Sequence, residues 1–542
     1  MDGPSPRRKR LILATLCLAL FMAMLDNVVV GNALPRISAD LGAGMSGLHW
    51  VMEGYSLVYA ALLLAGGTLG DRFGRRRFFL VGLAVFTGGS AACALAGSLG
   101  LLVTGRALQG IGAAALTPQS LAILRTTFSD DQERGRAIGT WSGVSALGLA
   151  LGPAIGGPLV SAFGWASAFW INVPVGLAAL VLGMIVVPVT PGQVRQPGSG
   201  GPLRRWDAGG FAAGAAGLAA TVYALVEGPV RGWTSGPVLG AAGTAAVCLA
   251  AFVPFELAAP SPMLDLRLFG DRVFAGAALS GFVVSFGMFG VLTYLGLYMQ
   301  DVLGWSPAGA GFASLPCTGV IMLVSPVASR LAMRFGPRVP LVAGLLSCAV
   351  GVAGLSHYGV GASYADFWWV LPMIGAGMGL SFSPISITVM NRVPVRRAGM
   401  ASATTNTSRE VGGVAGIAVL GALITARLGA LLPDRLAAAQ VPAGAAQSIT
   451  HVVTTGGAGG LSRAGGLPRA IRDAVDTSFT GGLHVAMLAA AVFLTLGAGL
   501  VAVMMRPEQQ VRLPPPPGEQ PGGVRRWVPD LYRRPARAGG PR

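Results

Sequence analysis

The sequence predicts an all-α integral membrane protein with about fourteen transmembrane helices. Of its 542 residues, 53% are hydrophobic and only 11% are charged, which is too apolar for an ordinary soluble surface. Apolar runs of about 20 residues recur from Leu11 to Met505, and each is long enough to cross a hydrocarbon core of about 30 Å. Alternating segments of about ten residues, typical of a membrane β-barrel, are missing, so helices must satisfy the backbone.

The basic residues predict the topology. The net charge is +17, and the arginines gather in the terminal segments and in alternate loops between the predicted helices. Cytoplasmic loops carry the excess of Lys and Arg, and an even number of helices leaves both termini on one side, so we expect both termini in the cytoplasm. The charge therefore reflects topology and does not indicate a nucleic-acid partner.

The composition also indicates the kind of organism and the membrane in which the protein occurs. Arginine is the dominant basic residue, with Lys9 as the only lysine, and Ala, Gly and Pro are abundant, which is typical of a high-GC bacterium. We therefore expect a multi-pass protein of the bacterial cell (plasma) membrane. It is expected to be monomeric and surrounded by membrane lipid.

Gaps between the apolar runs divide the chain into four parts. Residues 1–190 are predicted to form a six-helix bundle, and residues 191–260 a linker followed by an extra two-helix hairpin. Residues 261–505 are predicted to form a second six-helix bundle, which contains a long outer loop at 427–482. Residues 506–542 are rich in Pro and Arg, and we expect them to form a disordered cytoplasmic tail. Both the loop and the tail contain too few large apolar residues to pack a core.

The loop after the second predicted helix recurs in the second half of the chain. Residues 67–76 read GTLGDRFGRR and residues 329–338 read SRLAMRFGPR, so Leu, Arg, Phe, Gly and Arg coincide in register. Met333 stands where the first copy has Asp71. Two related halves around a midplane site are the arrangement of transporters that work by alternating access.

Five ionisable side chains lie inside the predicted spans, away from the helix ends: Asp26, Glu53, Arg106, Arg409 and Glu410. A charge there costs about 2.5 kcal/mol or more unless it is paired or hydrated, so each is a candidate for function. At a rise of about 1.5 Å per residue, the first three share one level in the outer half of the membrane, and the last two lie nearer the midplane. Three carboxylates face two guanidiniums, so at least one acid has no full partner.

We assign Asp26, Arg106, Glu53 and Glu410 to proton coupling, and Asp26, Glu410 and Arg409 to substrate binding. The leading hypothesis makes Asp26 the proton carrier, with Arg106 as its switchable neighbour and a cationic drug competing for the same acid. The alternative is that Asp26 and Arg106 form a fixed structural ion pair. Glu53 could instead snorkel to water at the outer surface. Glu410 could pair locally with Arg409 or form a second cation site, and the sequence does not choose between these.

Two glycine-containing motifs are expected to determine how the helices turn and pack. In the 67–76 loop the glycines allow a tight turn, and Asp71 could accept from free N–H groups at a neighbouring helix N-terminus. This predicts a conformational latch made of Gly67, Asp71, Arg72, Gly74, Arg75 and Arg76. In the fifth predicted helix, glycines every four residues leave a groove that a second helix can approach closely, and a proline bends the helix. This motif comprises Gly148, Gly152, Pro153, Gly156 and Gly157.

Several further segments carry a family resemblance. They are Leu25-Asp26 with Ala33-Leu34-Pro35, residues 106–112 (RALQGIG), residues 169–176 (FWINVPVG) and residues 300–307 (QDVLGWSP). Together with the 67–76 loop and the helix-five motif, they resemble the major facilitator superfamily and, within it, the fourteen-helix drug:proton antiporters of the EmrB/QacA type.

This resemblance covers nearly the whole chain. It implies a major facilitator fold of two six-helix bundles plus an inserted two-helix hairpin, and proton-coupled efflux of a small amphipathic drug or antibiotic by alternating access. It also implies that no cofactor is needed, because the proton gradient drives transport, and that Asp71 locks the inner gate of the outward-open state.

Other classes of function are disfavoured. Importers of sugars or anions need dense hydrogen-bonding or paired basic residues at the midplane, whereas these helices offer mostly Gly, Ala, Leu and Val. No Walker-type phosphate loop, His-rich cluster or Ser/His/Asp set is visible, so we expect neither an ATP-driven pump nor an enzyme. The five cysteines occur singly in predicted helices, which predicts packing residues and no metal site.

Overall fold

The computed structural model describes residues 5–43, 45–189, 207–259, 262–455 and 468–505. Within these residues every regular element is a helix, which confirms the all-α prediction. Most of the predicted linker before the hairpin and the whole of the predicted tail at 506–542 lie outside the described residues.

The helices fall into two lobes and a hairpin between them. The first lobe consists of α1 (Pro6–Leu41), α2 (Met45–Phe73), α3 (Arg75–Ala94), α4 (Leu99–Thr127), α5 (Asp131–Phe163), α6 (Ser167–Trp170) and α7 (Asn172–Val186). The hairpin consists of α8 (Ala208–Arg231) and α9 (Gly236–Ala258). The second lobe consists of α10 (Arg272–Leu297), α11 (Pro307–Ala313), α12 (Leu315–Phe335), α13 (Arg338–Leu355), α14 (Tyr364–Phe367), α15 (Val370–Arg392), α16 (Ala398–Ala438), α17 (Ala443–Thr455) and α18 (Arg469–Met504). A π-helical turn, Tyr298–Val302, follows α10, and 3₁₀ turns at Leu266–Gly270 and Val395–Arg397 precede α10 and α16.

Thirteen helical segments in the described ranges are long and apolar enough to cross a membrane. Several predicted spans are divided by a short break, so that α6 with α7, α11 with α12, and α14 with α15 each make one crossing. α5 is not among the thirteen, but it is 33 residues long and takes the place of the fifth predicted helix. Its residues are the glycine-rich ones of the helix-five motif.

The outer loop predicted at 427–482 is largely helical, which corrects the sequence interpretation. α16 continues to Ala438, α17 follows it, and α18 already begins at Arg469. The physical reason is a row of buried leucines at helical spacing, Leu428, Leu432 and Leu436. They extend the apolar face of α16 into the stretch predicted as a loop. Residues 456–467, in the middle of the predicted loop, lie outside the described residues.

Two pairs of helices make the most extensive contacts between the lobes: α2 packs on α16, and α5 packs on α12. Small residues make both contacts close. A Cβ on Gly139 of α5 would lie 2.9 Å from Oγ of Ser329 on α12, and a Cβ on Gly67 of α2 would collide with the Gly399 carbonyl of α16. The hairpin lies against the first pair, since α8 contacts both α2 and α16.

Candidate functional site

A buried ion pair lies inside the first lobe. Nη1 of Arg106 on α4 is 2.6 Å from Oδ2 of Asp26 on α1, and neither side chain has any exposed surface. Each charge would be costly alone at this depth, and each compensates the other. The depth argument from sequence places the two residues at one level, and the structure brings them into contact.

Polar neighbours complete the surroundings of this pair. Nδ2 of Asn172 and Nε2 of Gln109 both donate to Oδ1 of Asp26, at 2.6 and 2.8 Å. Arg106 donates to Oε1 of Gln109 at 2.9 Å and to the carbonyl of Val51 at 2.9 Å. Oδ1 of Asp26 thus has two donors and Oδ2 has a guanidinium, so the ionised carboxylate is fully satisfied in this conformation.

This geometry bears on the alternatives that the sequence leaves open for Asp26. A drug cannot touch its carboxylate here without displacing one of the donors, because the carboxylate is enclosed on all sides. Arg106 also stacks on Tyr55, with Cζ 4.7 Å from the ring centroid, and its Nη2 has no hydrogen-bond partner among the described residues. In this conformation the geometry favours the fixed ion pair, and a role as proton carrier requires Arg106 to move.

Two further carboxylates lie in the interior between the lobes. Glu53 on α2 and Glu410 on α16 belong to membrane-spanning segments, yet both are only half-buried. Glu53 is within electrostatic range of the buried Arg106, and Glu410 is within electrostatic range of Glu53. Because α2 packs on α16, we infer that the exposed surface of both carboxylates faces one space between the lobes, here called the shared space. In the part of the chain that the structure describes, neither carboxylate has a hydrogen bond or an ion pair.

Arg409 is the third charged group in this space. Its guanidinium lies over the ring of Phe382 on α15, with Cζ 4.0 Å from the ring centroid, and this cation–π contact stabilises a cation that has little water around it. Its Nε has no hydrogen-bond partner within the described ranges. No ion pair joins it to Glu410 there, although the two opposite charges are within electrostatic range of each other.

The 67–76 loop joins the C-terminal end of α2 to the N-terminal end of α16. Oδ2 of Asp71 accepts from the backbone N–H of Met400 at 3.0 Å, and Oδ1 accepts from Nε of Arg75 at 2.8 Å. Met400 is in the first turn of α16, which has no side-chain cap of its own, so Asp71 supplies an acceptor from the other lobe. Arg75 also donates to the carbonyl of Val395, just before α16. This is the kind of contact with a neighbouring helix N-terminus that the sequence analysis expects.

The other residues of the loop hold it on the first lobe. Gly74 has a φ of +109°, a conformation that favours glycine, and it turns the chain from α2 into α3. Arg76 donates to the carbonyl of Met184 near the end of α7, and Arg72 lies over the ring of Phe73. The loop is therefore anchored on one lobe while its carboxylate reaches the other.

The glycines of α5 face α1, the helix that carries Asp26. A Cβ on Gly148 would lie 2.9 Å from a backbone carbonyl of α1, and a Cβ on Gly152 would lie 2.5 Å from a Cβ of α1. Gly156 is also buried, whereas a Cβ on Gly157 would meet nothing within 4 Å. Pro153 lies within the same helix. The groove thus provides close packing of α5 on α1 at Gly148 and Gly152, and Gly157 takes no part in it.

The sequence reasoning does not predict the contacts of three site residues, Gln109, Asn172 and Phe382, although the first two lie in the motifs at 106–112 and 169–176. Gln109 and Asn172 are amides inside apolar helices, and the cost of burying an unpaired amide is the signal that would find them. Phe382 carries no such signal, because its contact with Arg409 depends on how α15 lies beside α16. In the described ranges, no group of three or more His, Cys, Asp or Glu is arranged to hold a metal ion.

Charged side chains enclosed at membrane depth between two helical lobes, with a close-packed seal at one end, define the class of multi-pass membrane transporters. Comparison with known proteins agrees with this class, since the Major Facilitator Superfamily profile matches residues 16–417. The chain belongs to the major facilitator superfamily, and it is a transporter rather than an enzyme.

Relatives are similar along nearly the whole chain. The multidrug resistance protein Stp of Mycobacterium tuberculosis is 36% identical over 497 residues, covering 90% of this chain and 91% of that protein. The tetracenomycin C resistance and export protein of Streptomyces glaucescens is 33% identical over 512 residues, covering 93% of each. Among solved structures, the human organic anion transporter MFSD10 superposes with a TM-score of 0.59 and 14% identity, covering 92% of this chain and 100% of that one. This last likeness concerns the fold alone.

Proposed function

We propose that the chain exports small amphipathic drugs or antibiotics across the bacterial cell membrane in exchange for protons, by alternating access. Similarity along the whole chain to proteins named for multidrug resistance and for tetracenomycin C resistance and export supports drug efflux. The excess of arginine in the termini and alternate loops supports a topology with both termini in the cytoplasm, which puts the 67–76 loop on the inner side.

One observation carries the proton-coupling part of the proposal. Glu53 and Glu410 belong to opposite lobes, share an interior space, and have no ion-pair partner in the described part of the chain. Two carboxylates that face each other away from bulk water repel when both are ionised, so a proton or another cation must neutralise at least one of them. A cationic drug and protons are then alternative occupants of the same acids, which makes their movements opposite.

The ion pair in the first lobe links this exchange to conformation. Glu53 is within electrostatic range of Arg106, whose guanidinium is held by Asp26. When Glu53 is ionised, it competes with Asp26 for Arg106. When Glu53 is protonated, the competition ends and the buried pair is strengthened. Proton binding in the shared space therefore changes how α1, α2 and α4 are held together.

The inner gate gives the order of events. We assign this conformation to the outward-facing state, because the bond from Met400 to Asp71 joins the cytoplasmic ends of α2 and α16. Protons from outside bind the acids and release the drug to the outside. The bond to Asp71 then opens, and a drug from the cytoplasm displaces the protons inward.

Accumulation of a cationic fluorescent dye by inside-out membrane vesicles tests this proposal. Vesicles from a pump-deficient host that makes this chain should accumulate the dye when a proton gradient is present. A protonophore should abolish the accumulation, and removal of ATP at a preserved gradient should not. Dye accumulation that survives the protonophore would exclude proton coupling.

Glutamine variants identify the acids involved. Glu53→Gln and Glu410→Gln should each lower gradient-driven accumulation at least about tenfold, which corresponds to about 1.4 kcal/mol. Glu133→Gln is the matched control, because Glu133 is exposed at the cytoplasmic start of α5, and it should leave accumulation unchanged. Uphill accumulation by the double variant of Glu53 and Glu410 would show that neither acid carries the proton.

A further inference from the structure

The two copies of the repeated loop make equivalent contacts with opposite lobes. Asp71 of the first copy lies against Gly399 of α16, and Met333 of the second copy lies against Gly135 of α5. A Cβ on Gly399 would be 2.9 Å from Cγ of Asp71, and a Cβ on Gly135 would be 2.9 Å from Sδ of Met333. The residue that differs most between the two copies therefore occupies the same place at the two lobe contacts.

The register of the two copies agrees along the loop. At the positions four residues before Asp71 and Met333, Gly67 faces Ala403 and Ser329 faces Gly139. Ala403 and Gly139 lie four residues after Gly399 and Gly135, so the spacing is the same at both contacts. Further agreement comes from Arg72 over Phe73 and Arg334 over Phe335, at 5.7 and 5.2 Å from the ring centroids, and from positive φ at Gly74 and Gly336. The repeat thus preserves the backbone and exchanges a carboxylate for a thioether.

The helices that receive the two loops begin differently. α16 starts two residues before Met400, so the N–H of Met400 belongs to the first turn, where no residue of α16 caps it. α5 starts four residues before Gly135, and Asp130 caps it by accepting from the N–H of Glu133 at 2.8 Å. The N–H groups of α5 at the level of Gly135 are therefore already bonded within the helix. A carboxylate at position 333 would find no free donor there.

We propose that the inner gate is fastened on one side only: the Asp71 latch has no counterpart at the second copy of the loop, where Met333, against the self-capped α5, is a gate-positioning residue that allows sliding. The proposal rests on the alternating-access function proposed above. When the lobes separate, α16 loses the acceptor that Asp71 provides, whereas α5 keeps Asp130. The free-energy difference between closed and open gates is therefore concentrated on the α2–α16 side. A flexible, polarisable thioether suits a contact that slides.

Other polar contacts near the gate are compatible with this asymmetry. On the α5 side, Arg134 donates to Oδ1 of Asn391 at 3.0 Å, but this bond to a neutral amide is exposed and therefore weak. On the α16 side, Arg75 of the first lobe donates to the carbonyl of Val395, just before α16, which adds a second charged contact between the lobes beside Asp71. The charged contacts thus gather around the N-terminus of α16.

Distances between spin labels on each side of the gate test the proposal. One label pair replaces Phe73 and Val395, on the α2–α16 side, and the other replaces Gln132 and Phe335, on the α5–α12 side. All four residues are exposed, and the full chain is studied in lipid nanodiscs after its five cysteines are replaced. Measurements are made without drug and without a proton gradient, so they report the gate alone.

Asp71→Asn should raise the ratio of open to closed gates about tenfold or more, because it removes a charge-assisted hydrogen bond to a buried helix terminus. Met400→Pro should have the same effect, since it deletes the donor and keeps the carboxylate, and proline is tolerated in the first turn of a helix. Met333→Leu should change the ratio less than twofold. Adding Met333→Asp to Asp71→Asn should not restore closure.

Two results would overturn the inference: closure restored by Met333→Asp, or opening by Met333→Leu that equals the effect of Asp71→Asn. Dye export by the same variants is measured separately. If the chain exports no compound but shows the expected distances, the proposed function is wrong and the asymmetric gate still stands. If export depends equally on Asp71 and on Met333, only the asymmetric gate is wrong.

Discussion

The carboxylate of Asp26 is saturated by its neighbours, whereas the carboxylates of Glu53 and Glu410 are not. All three lie in the membrane interior, so the difference comes from local chemistry. Asp26 meets a guanidinium and two amides, while the other two face a space shared by the lobes. The charge of Asp26 is thus balanced by groups of the protein itself, whereas an unpaired carboxylate has only water or a ligand to neutralise it.

We expect Asp26→Asn to reach the membrane and to lose gradient-driven export. Asparagine keeps one oxygen acceptor, but the Arg106 charge loses its partner, which costs about 3–5 kcal/mol for a fully buried pair. Dye accumulation and the thermal unfolding midpoint are measured on the same preparation. Asp40→Asn, at an exposed position near the C-terminal end of α1, is the control. Uphill export with a lowered midpoint would instead identify Asp26 as a structural residue.

Arg409→Gln should strengthen the binding of monovalent cationic drugs. Arg106 is already paired with Asp26, so Arg409 is the cation near Glu53 and Glu410 that has no ion pair within the described residues, and its removal leaves their negative charges uncompensated. At an effective dielectric constant of about 20, a charge several ångströms away contributes roughly 1–2 kcal/mol, so the half-saturating concentration should fall about fivefold or more. Equilibrium dye binding measures the effect. Arg427→Gln, exposed on the same helix, is the control, and weaker binding by Arg409→Gln would contradict the charge argument.

At the level of the helices, glycines determine how closely the elements approach. Gly152→Ala should lower the thermal unfolding midpoint and slow export, because the new Cβ would lie 2.5 Å from Cβ of Val28 on α1. Overpacking of this kind costs about 1–3 kcal/mol. Gly157→Ala is a closely matched control, since its Cβ would meet nothing within 4 Å. Equal midpoints for the two variants would show that α1 and α5 can separate at little cost.

Hydropathy predicts the helices well because each must bury its backbone over the same membrane thickness. Hydropathy predicts the C-terminal end of α16 less well. Leu428, Leu432 and Leu436 are spaced among small and charged residues, so their mean hydropathy is low although they form one buried row. A test for helical periodicity, rather than for an apolar run, would extend this helix.

The candidate site is predictable where rise per residue fixes depth. Counting along straight helices brings Asp26 and Arg106 to one level, and the structure joins them at 2.6 Å. Counting does not tell which face of a helix points inward, so the exposure of Glu53 and the stacking of Arg409 on Phe382 require the packing of the helices. Lateral placement is a property of the assembled bundle, and one sequence does not contain it explicitly.

For the whole molecule, the internal repeat gives two lobes of the same design, and their charges are distributed unequally between them. The first lobe holds a neutral buried pair and one free acid, Glu53. The second holds the free acid Glu410 and the cation Arg409. Arg106 and Glu227 also act on Glu53, but each is neutralised by its own partner, Asp26 or Arg231. In the described shared space, two ionised acids and one guanidinium therefore leave one net negative charge, which suits a monovalent cation. Both acids can be neutral when the space is open to a more acidic outer side.

This charge count predicts the electrical behaviour of the transport cycle. If two protons exchange for one monovalent cationic drug, each cycle moves one net positive charge, and a membrane potential of 100 mV contributes about 2.3 kcal/mol to it. In inside-out vesicles at a fixed pH gradient, an interior-positive potential imposed with valinomycin and potassium should therefore raise the accumulation of a monovalent cationic dye. Any residual transport by Glu53→Gln should lose this sensitivity to potential, because one remaining acid makes the exchange electroneutral. If wild-type accumulation depends on the pH gradient but not on the potential, only one proton is exchanged per drug. One of the two acids would then not take part in the exchange.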